Sequence, residues 1–203
     1  MLRARTLVEA YLYIDLTLAA GDGDGGDDGF GEPGLSARPW TTLTEGADAW
    51  TLRFDGPATG PRHLIDVVVP YRTEAEARRD RLRFGPGPSE LVDAGQWRLV
   101  ADEYAQRALA ADLSFADTPE DDERYHEVVL NWEFARDALA EAAKFLPAGA
   151  DAADTVPETA FWTGMGTAVR EEDPGRFTRS RLEDDIAFYG ENLQHFTDMY
   201  GDR

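Results

Sequence analysis

The hydrophobic pattern of this 203-residue chain changes period once, between Tyr71 and Trp97. Before the change, apolar side chains alternate with polar ones, as in a strand with one buried face. After it they recur every three to four residues, as in an amphipathic helix. A chain that keeps the two periods in separate halves is held to an α+β class. The expected architecture is a small N-terminal antiparallel sheet followed by a helical C-terminal half of three to four helices. The expected division is a strand-rich unit over 1–88 and a helical unit over 89–203, packed together as one compact fold.

Three runs carry the period of two. Val8, Ala10, Leu12, Ile14 and Leu16 alternate with Glu9, Tyr11, Tyr13, Asp15 and Thr17. Trp50, Leu52 and Phe54 alternate with Thr51, Arg53 and Asp55 and stop at Gly56–Pro57. Leu64 to Val69 is apolar apart from Asp66 and closes on Pro70. Three such strands make a sheet that needs helices packed on it. Between the first two lies GDGDGGDDGFGEPG, residues 21–34, which reads as a solvated loop. A calcium loop starting at Asp22 would place Pro33 where a bidentate Glu is required, and one starting at Asp24 places Gly26 and Leu35 at ligand positions, so neither register works.

The helical half announces its starts. Asp93–Ala94–Gly95–Gln96 has the form of a capping box, ahead of an apolar face of Trp97, Val100, Ala101, Tyr104 and Ala108. Thr118–Pro119–Glu120–Asp121 offers a capping Thr, a Pro at the first helical position and acids at the positive helix end. That helix is expected to run through Val128, Trp132, Ala135, Leu139, Ala142 and Leu146 to Pro147. Residues 148–157 connect it to an apolar turn at 158–164. A last helix begins at the box Ser180–Arg181–Leu182–Glu183, with Leu182, Ile186, Tyr189, Leu193, Phe196 and Tyr200 as its stripe.

Motifs for chemistry fail one by one. There is no cysteine, which removes disulfides, thiolate metal sites and a Cys nucleophile. Glu123 and His126 share a helix face, but a di-metal carboxylate bundle needs a second such pair, and only Glu191 with His195 approximates one. His126–Glu127 lacks the second His of a zinc protease, since Leu130 stands there. Gly164–Met165–Gly166 follows no strand, and no Gly-x-Ser-x-Gly elbow occurs. No catalytic residue, metal ligand or cofactor site is assigned.

Several segments together carry a resemblance: Leu7 to Leu16, Phe84–Gly85–Pro86–Gly87–Pro88–Ser89 leading into Val92 to Trp97, Phe161–Trp162–Thr163, and Pro174–Gly175–Arg176–Phe177. They resemble an uncharacterised actinobacterial protein family with an N-terminal strand unit, often carrying a zinc-ribbon-like cysteine pair, and an all-helical remainder. Ala19 to Gly26 stand where that pair would be. The resemblance implies the fold and an actinobacterial origin, and no activity.

Charge narrows the function classes. Forty acidic residues face twenty basic ones, a formal net charge of -20, and Lys144 is the only lysine. Such a field repels nucleic acid and anionic membranes and speeds encounter with a cationic partner. Arg-for-Lys usage with abundant Ala and Gly also fits a GC-rich genome, which would make part of the charge compositional. The leading expectation is a cytoplasmic protein-binding inhibitor, an immunity protein that neutralises a basic toxin domain. Its candidate contact residues are Asp117, Glu120, Asp121, Asp122, Glu123 and Trp162. The alternatives are an enzyme whose site assembles around His126 or His195 with neighbouring carboxylates, and a scaffold that forms a homodimer through its helical half.

Overall fold

The run from Val8 to Leu16 folds as a helix, α1 (Leu7–Gly21), and not as the expected strand. Ala10, Leu12, Ile14 and Leu16 are all buried, and so are Glu9 and Asp15 between them. A helix enclosed on most sides needs no polar stripe, so its apolar residues lose the 3.6 period and can mimic a strand. Its start is fixed by side chains: the Thr6 hydroxyl accepts from the Glu9 N–H at 3.2 Å, and Glu74 accepts from the Leu7 N–H at 2.8 Å. Glu9 reaches back to the Arg5 N–H at 2.6 Å and grips the Arg5 guanidinium.

The structure, a computed structural model, describes residues 1–21, 37–57, 62–116, 121–149 and 153–201. Most of the Gly/Asp loop expected at 21–34, from residue 22 onward, lies outside these. The chain divides into two compact units, Met1–Val92 and Asp93–Arg203. In the first, β1 (Leu2–Arg3), β2 (Thr41–Glu45), β3 (Ala49–Pro57) and β4 (Arg62–Pro70) form one sheet in the order β1-β4-β3-β2. The β2-β3-β4 pairs are antiparallel, and β1 lies parallel to β4, so the sheet is mixed. The α+β class stands, with two strands from unexpected places: β1 and β2 supply what the Val8 run does not. A second helix, α2 (Tyr71–Asp80), follows β4 directly and ends on Arg81 in the left-handed region.

The period-two reading of β3 is correct in its faces, and the apolar run of β4 buries alternate residues. Leu52, Phe54, Ile65, Val67 and Val69 are buried on one side. The other carries Arg53 paired to Asp66 at 2.7 Å and Arg62 paired to Asp55 at 2.5 Å. The first pair sits directly across the β3–β4 register and the second lies on its diagonal, both on a solvated face.

The second unit is helical: α3 (Ala94–Phe115), α4 (Asp122–Ala143), α5 (Gly164–Glu172) and α6 (Arg179–Tyr200). The box at Asp93 forms as expected, with Gln96 N–H on Asp93 Oδ1 at 2.8 Å and Asp93 N–H on Gln96 Oε1 at 3.0 Å. The cap of α4 is Asp121, which accepts from the Glu123 and Arg124 N–H groups; the start expected at Thr118–Pro119–Glu120 lies outside the described residues. The cap of α6 is Thr178, and not Ser180. There a residue whose side chain reaches the third N–H displaces a candidate two positions away. Helix α4 also closes at Ala143, short of Pro147, so the proline follows a helix that has already ended.

Candidate functional site

The acidic surface follows from how the helical unit spends its cations. Residues 93–203 carry 25 acidic and 10 basic side chains, net -15. All nine described basic residues are ion-paired within the unit. Arg98 holds Asp102 and Asp185, Arg176 holds Asp102, and Arg181 holds Asp185. Arg107 holds Glu103, Arg124 holds Asp121, Arg136 holds Asp137, Lys144 holds Glu141, Arg170 holds Glu158 and Arg179 holds Asp154. The remaining exposed carboxylates include Asp122, Glu123 and Glu127 on α4 and Glu183, Asp184 and Glu191 on α6. None of these six is ion-paired among the described residues.

The core of that arrangement is Arg98, whose side chain is 4 % exposed. It donates to Asp185 at 2.6 Å and to Asp102 at 3.1 Å. Asp102 also accepts from Arg176 at 2.5 Å, and Asp185 from Arg181 at 3.2 Å. Three guanidiniums on two carboxylates tie α3, α6 and the turn Pro174–Phe177 together. Burial, reinforced by the Asp102 charge, holds the neighbouring Tyr189 phenol above its ordinary range. The sequence shows half of this network as i,i+4 pairs, Arg98 with Asp102 and Arg181 with Asp185. The link from Arg98 to Asp185 spans 87 residues and has no local signal.

The expected contact residues fall in two places. Asp117 and Glu120 lie outside the described residues. Asp121 is engaged in capping α4, while Asp122 and Glu123 stand exposed in its first turn. Trp162 is about half exposed, 47 %, and packs edge-on against Phe145, just past the other end of α4. A helix of 22 residues separates the two, a span of about 33 Å. The acidic turn and the tryptophan therefore belong to different patches.

Among the described residues, neither His126 nor His195 makes a hydrogen bond or ion pair to a carboxylate. His126 Nδ1 lies 2.6 Å from the Asp122 carbonyl of its own helix, on an exposed face. His195 stands on the exposed side of α6, where its charge opposes the upward shift that burial imposes on Asp112. Among the described residues, no three His, Asp or Glu side chains gather in a way that could hold a metal ion, and no helix is long and apolar enough to cross a membrane.

One further junction is built from the sequence's strongest cap. Asp93, fully buried, accepts through Oδ2 from the Thr163 N–H at 2.8 Å and the Thr163 hydroxyl at 2.6 Å, while Oδ1 caps α3. One carboxylate thus serves the N-termini of α3 and α5, where two positive helix ends favour its charge. The approach is close enough that a Cβ on Gly95 would collide with the Gly166 backbone. This explains a glycine inside the capping box at a helix position where Ala would otherwise be preferred.

No protein-family model matches the chain, and comparison with curated proteins and with solved structures finds no match. The functional reading rests on the geometry above.

Proposed function

We propose that this chain is a cytoplasmic protein-binding inhibitor, an immunity protein whose helical unit covers the positively charged active-site cleft of a toxin domain. The supporting observation is the complete internal pairing of the described basic residues between Asp93 and Gly201. With those cations paired from within, the unpaired carboxylates dominate the outward field of the described residues, which favours approach of a cationic partner. Enzymes that act on nucleic acids or nucleotides carry such clefts, and charge complementarity of this kind sets on-rate and partner choice more than final affinity.

The test is purification of the basic protein retained by the immobilised full chain, followed by two measurements. Inhibition of that protein's own catalytic activity at stoichiometric ratio is expected. The association rate should fall steeply as salt rises, because exposed charges are screened over about 8 Å at physiological ionic strength. The combined change Asp121→Asn, Asp122→Asn and Glu123→Gln should lower that rate at low salt and leave the circular dichroism unchanged. Binding without inhibition, or association insensitive to salt, would overturn the proposal.

A further inference from the structure

Helices α3 and α6 border an open groove of about 410 Å³ whose floor is the buried Trp132 of α4 and Tyr189. Its walls include Leu109 from α3 and Phe188 from α6, which are 47 % and 52 % exposed. The same helix faces continue with Leu113, four residues on, and Met199, eleven residues on, which are 77 % and 56 % exposed. Spacings of four and eleven keep a residue on one side of an α-helix. Four large apolar side chains thus form a strip along two helices, and eleven residues of α6 correspond to about 16 Å, or three turns.

The strip is bracketed mostly by carboxylates, and the cation in the groove lining, Arg176, is ion-paired to Asp102. On α6, Asp184 and Glu191 lie one turn to either side of Phe188, and Asp198 stands beside Met199; all three are exposed. Asp112 lies between Leu109 and Leu113 on α3, within electrostatic reach of His195 on α6. An apolar strip of this length between carboxylates matches one kind of ligand: a helix with an apolar stripe and basic flanks. A second copy of this chain would bring its own -20 against the same carboxylates, a like-charge juxtaposition that disfavours association. A small molecule would leave most of its surface in water in so open a groove, whereas small-molecule sites enclose their ligands.

We infer that the groove between α3 and α6 is the docking site for a basic amphipathic helical segment of the partner protein, with its apolar stripe on Leu109, Leu113, Phe188 and Met199 and its lysines or arginines facing Asp184, Glu191 and Asp198. This rests on the reading above that the partner is a basic protein. Trp132 supplies a reporter, since it lines the groove and its buried indole N–H makes no hydrogen bond among the described residues.

The experiment uses the isotope-labelled full chain and two synthetic peptides of about eighteen residues. Both contain only Leu, Ala and Lys in the same amounts. One has its leucines at helical spacing on one face, and the other has them scattered. At low salt the striped peptide should shift the Trp132 indole resonance and the amides of residues 105–113 and 188–199. Leu109→Ser and Phe188→Ser should each weaken it about tenfold, while Leu64→Ser on the sheet should not. The scattered peptide should bind weakly and shift the acidic surface diffusely. If the striped peptide binds Phe188→Ser as well as wild type, or moves resonances elsewhere, the groove assignment is wrong while the acidic-partner reading survives. If neither peptide binds at low salt, both fail. Concentration-dependent shifts at the groove without peptide would assign it to self-association and overturn the inference.

Discussion

Residues 1–92 carry 15 acidic and 10 basic side chains, and residues 93–203 carry 25 and 10. The number of cations is the same, yet the two units use them differently. In the sheet unit Arg3, Arg38, Arg72 and Arg81 have no carboxylate partner among the described residues, and the pairs Arg53–Asp66 and Arg62–Asp55 lie on a solvated face. In the helical unit all nine described cations are paired, and one of them is buried with two carboxylates. An ion pair in water contributes little, whereas a desolvated one is costly to break because a lone charge remains inside. Arg5 with the buried Glu9 apart, the ion pairs of the sheet unit therefore decorate its surface, whereas the helical unit sinks an arginine between two carboxylates.

The sharpest way to break this contrast is to remove one arginine from each unit. Arg98→Ala is expected to destabilise the helical unit by about 3 kcal/mol in urea titration, toward the low end for a broken buried pair because Arg176 and Arg181 still hold the two aspartates. Arg53→Ala should leave the titration of the full chain unchanged within error. Equal effects from the two would mean that burial does not separate them.

A smaller effect separates the two helix starts. Asp93→Ala removes the cap of α3 together with both bonds to Thr163, and about 2 kcal/mol should be lost. Thr6→Ala removes the bond from the Glu9 N–H and the hydroxyl's own bond to the Arg83 carbonyl, while Glu74 and Glu9 still take neighbouring N–H groups, and about 1 kcal/mol should be lost. Amide exchange read separately over α1 and α3 distinguishes the two. A Thr6→Ala loss as large as that of Asp93→Ala would show that α1 depends on a single cap.

The smallest expected change concerns Asp112, whose carboxyl burial raises above its ordinary value against the opposing pull of His195. An acid whose value rises on folding binds its proton more tightly in the folded state. Its penalty is absent below the ordinary carboxylate range of about 4 and grows as pH climbs through the raised value. Asp112→Asn should therefore melt slightly above wild type near neutral pH and together with it in acid. A variant that melts lower at neutral pH would mean that the carboxylate contributes more through His195 than it loses by burial.

What the sequence makes legible follows from distance along the chain. The Asp93 box, the faces of β3 and β4 and the stripe of α6 all come from neighbours within a turn or a pleat. Helix α1 defeats the periodicity argument because it is enclosed on most sides. Its start is nevertheless written locally, since Thr6–Leu7–Val8–Glu9 has the Thr-x-x-Glu spacing of a cap. The groove and the Arg98–Asp185 link are illegible for the opposite reason. Each joins α3 to α6, and no pattern inside either helix states which partner it meets.

The shared carboxylate of Asp93 has a consequence for the order of events during folding. Its two partners, Gln96 and Thr163, lie 3 and 70 residues away. The near contact forms with the first turn of α3, but the far one waits for closure of a long loop, whose entropic cost rises only with the logarithm of its length. Helix α5 is then expected to arrive late, docking on a start that α3 has already built. Losing the Thr163 contacts should speed unfolding far more than it slows refolding, because a bond made after the rate-limiting step is absent from the transition state. Thr163→Val removes the hydroxyl's bonds to Asp93 and to the Gly166 N–H while the Thr163 N–H bond stays, and stopped-flow in denaturant places that step before or after α5 joins.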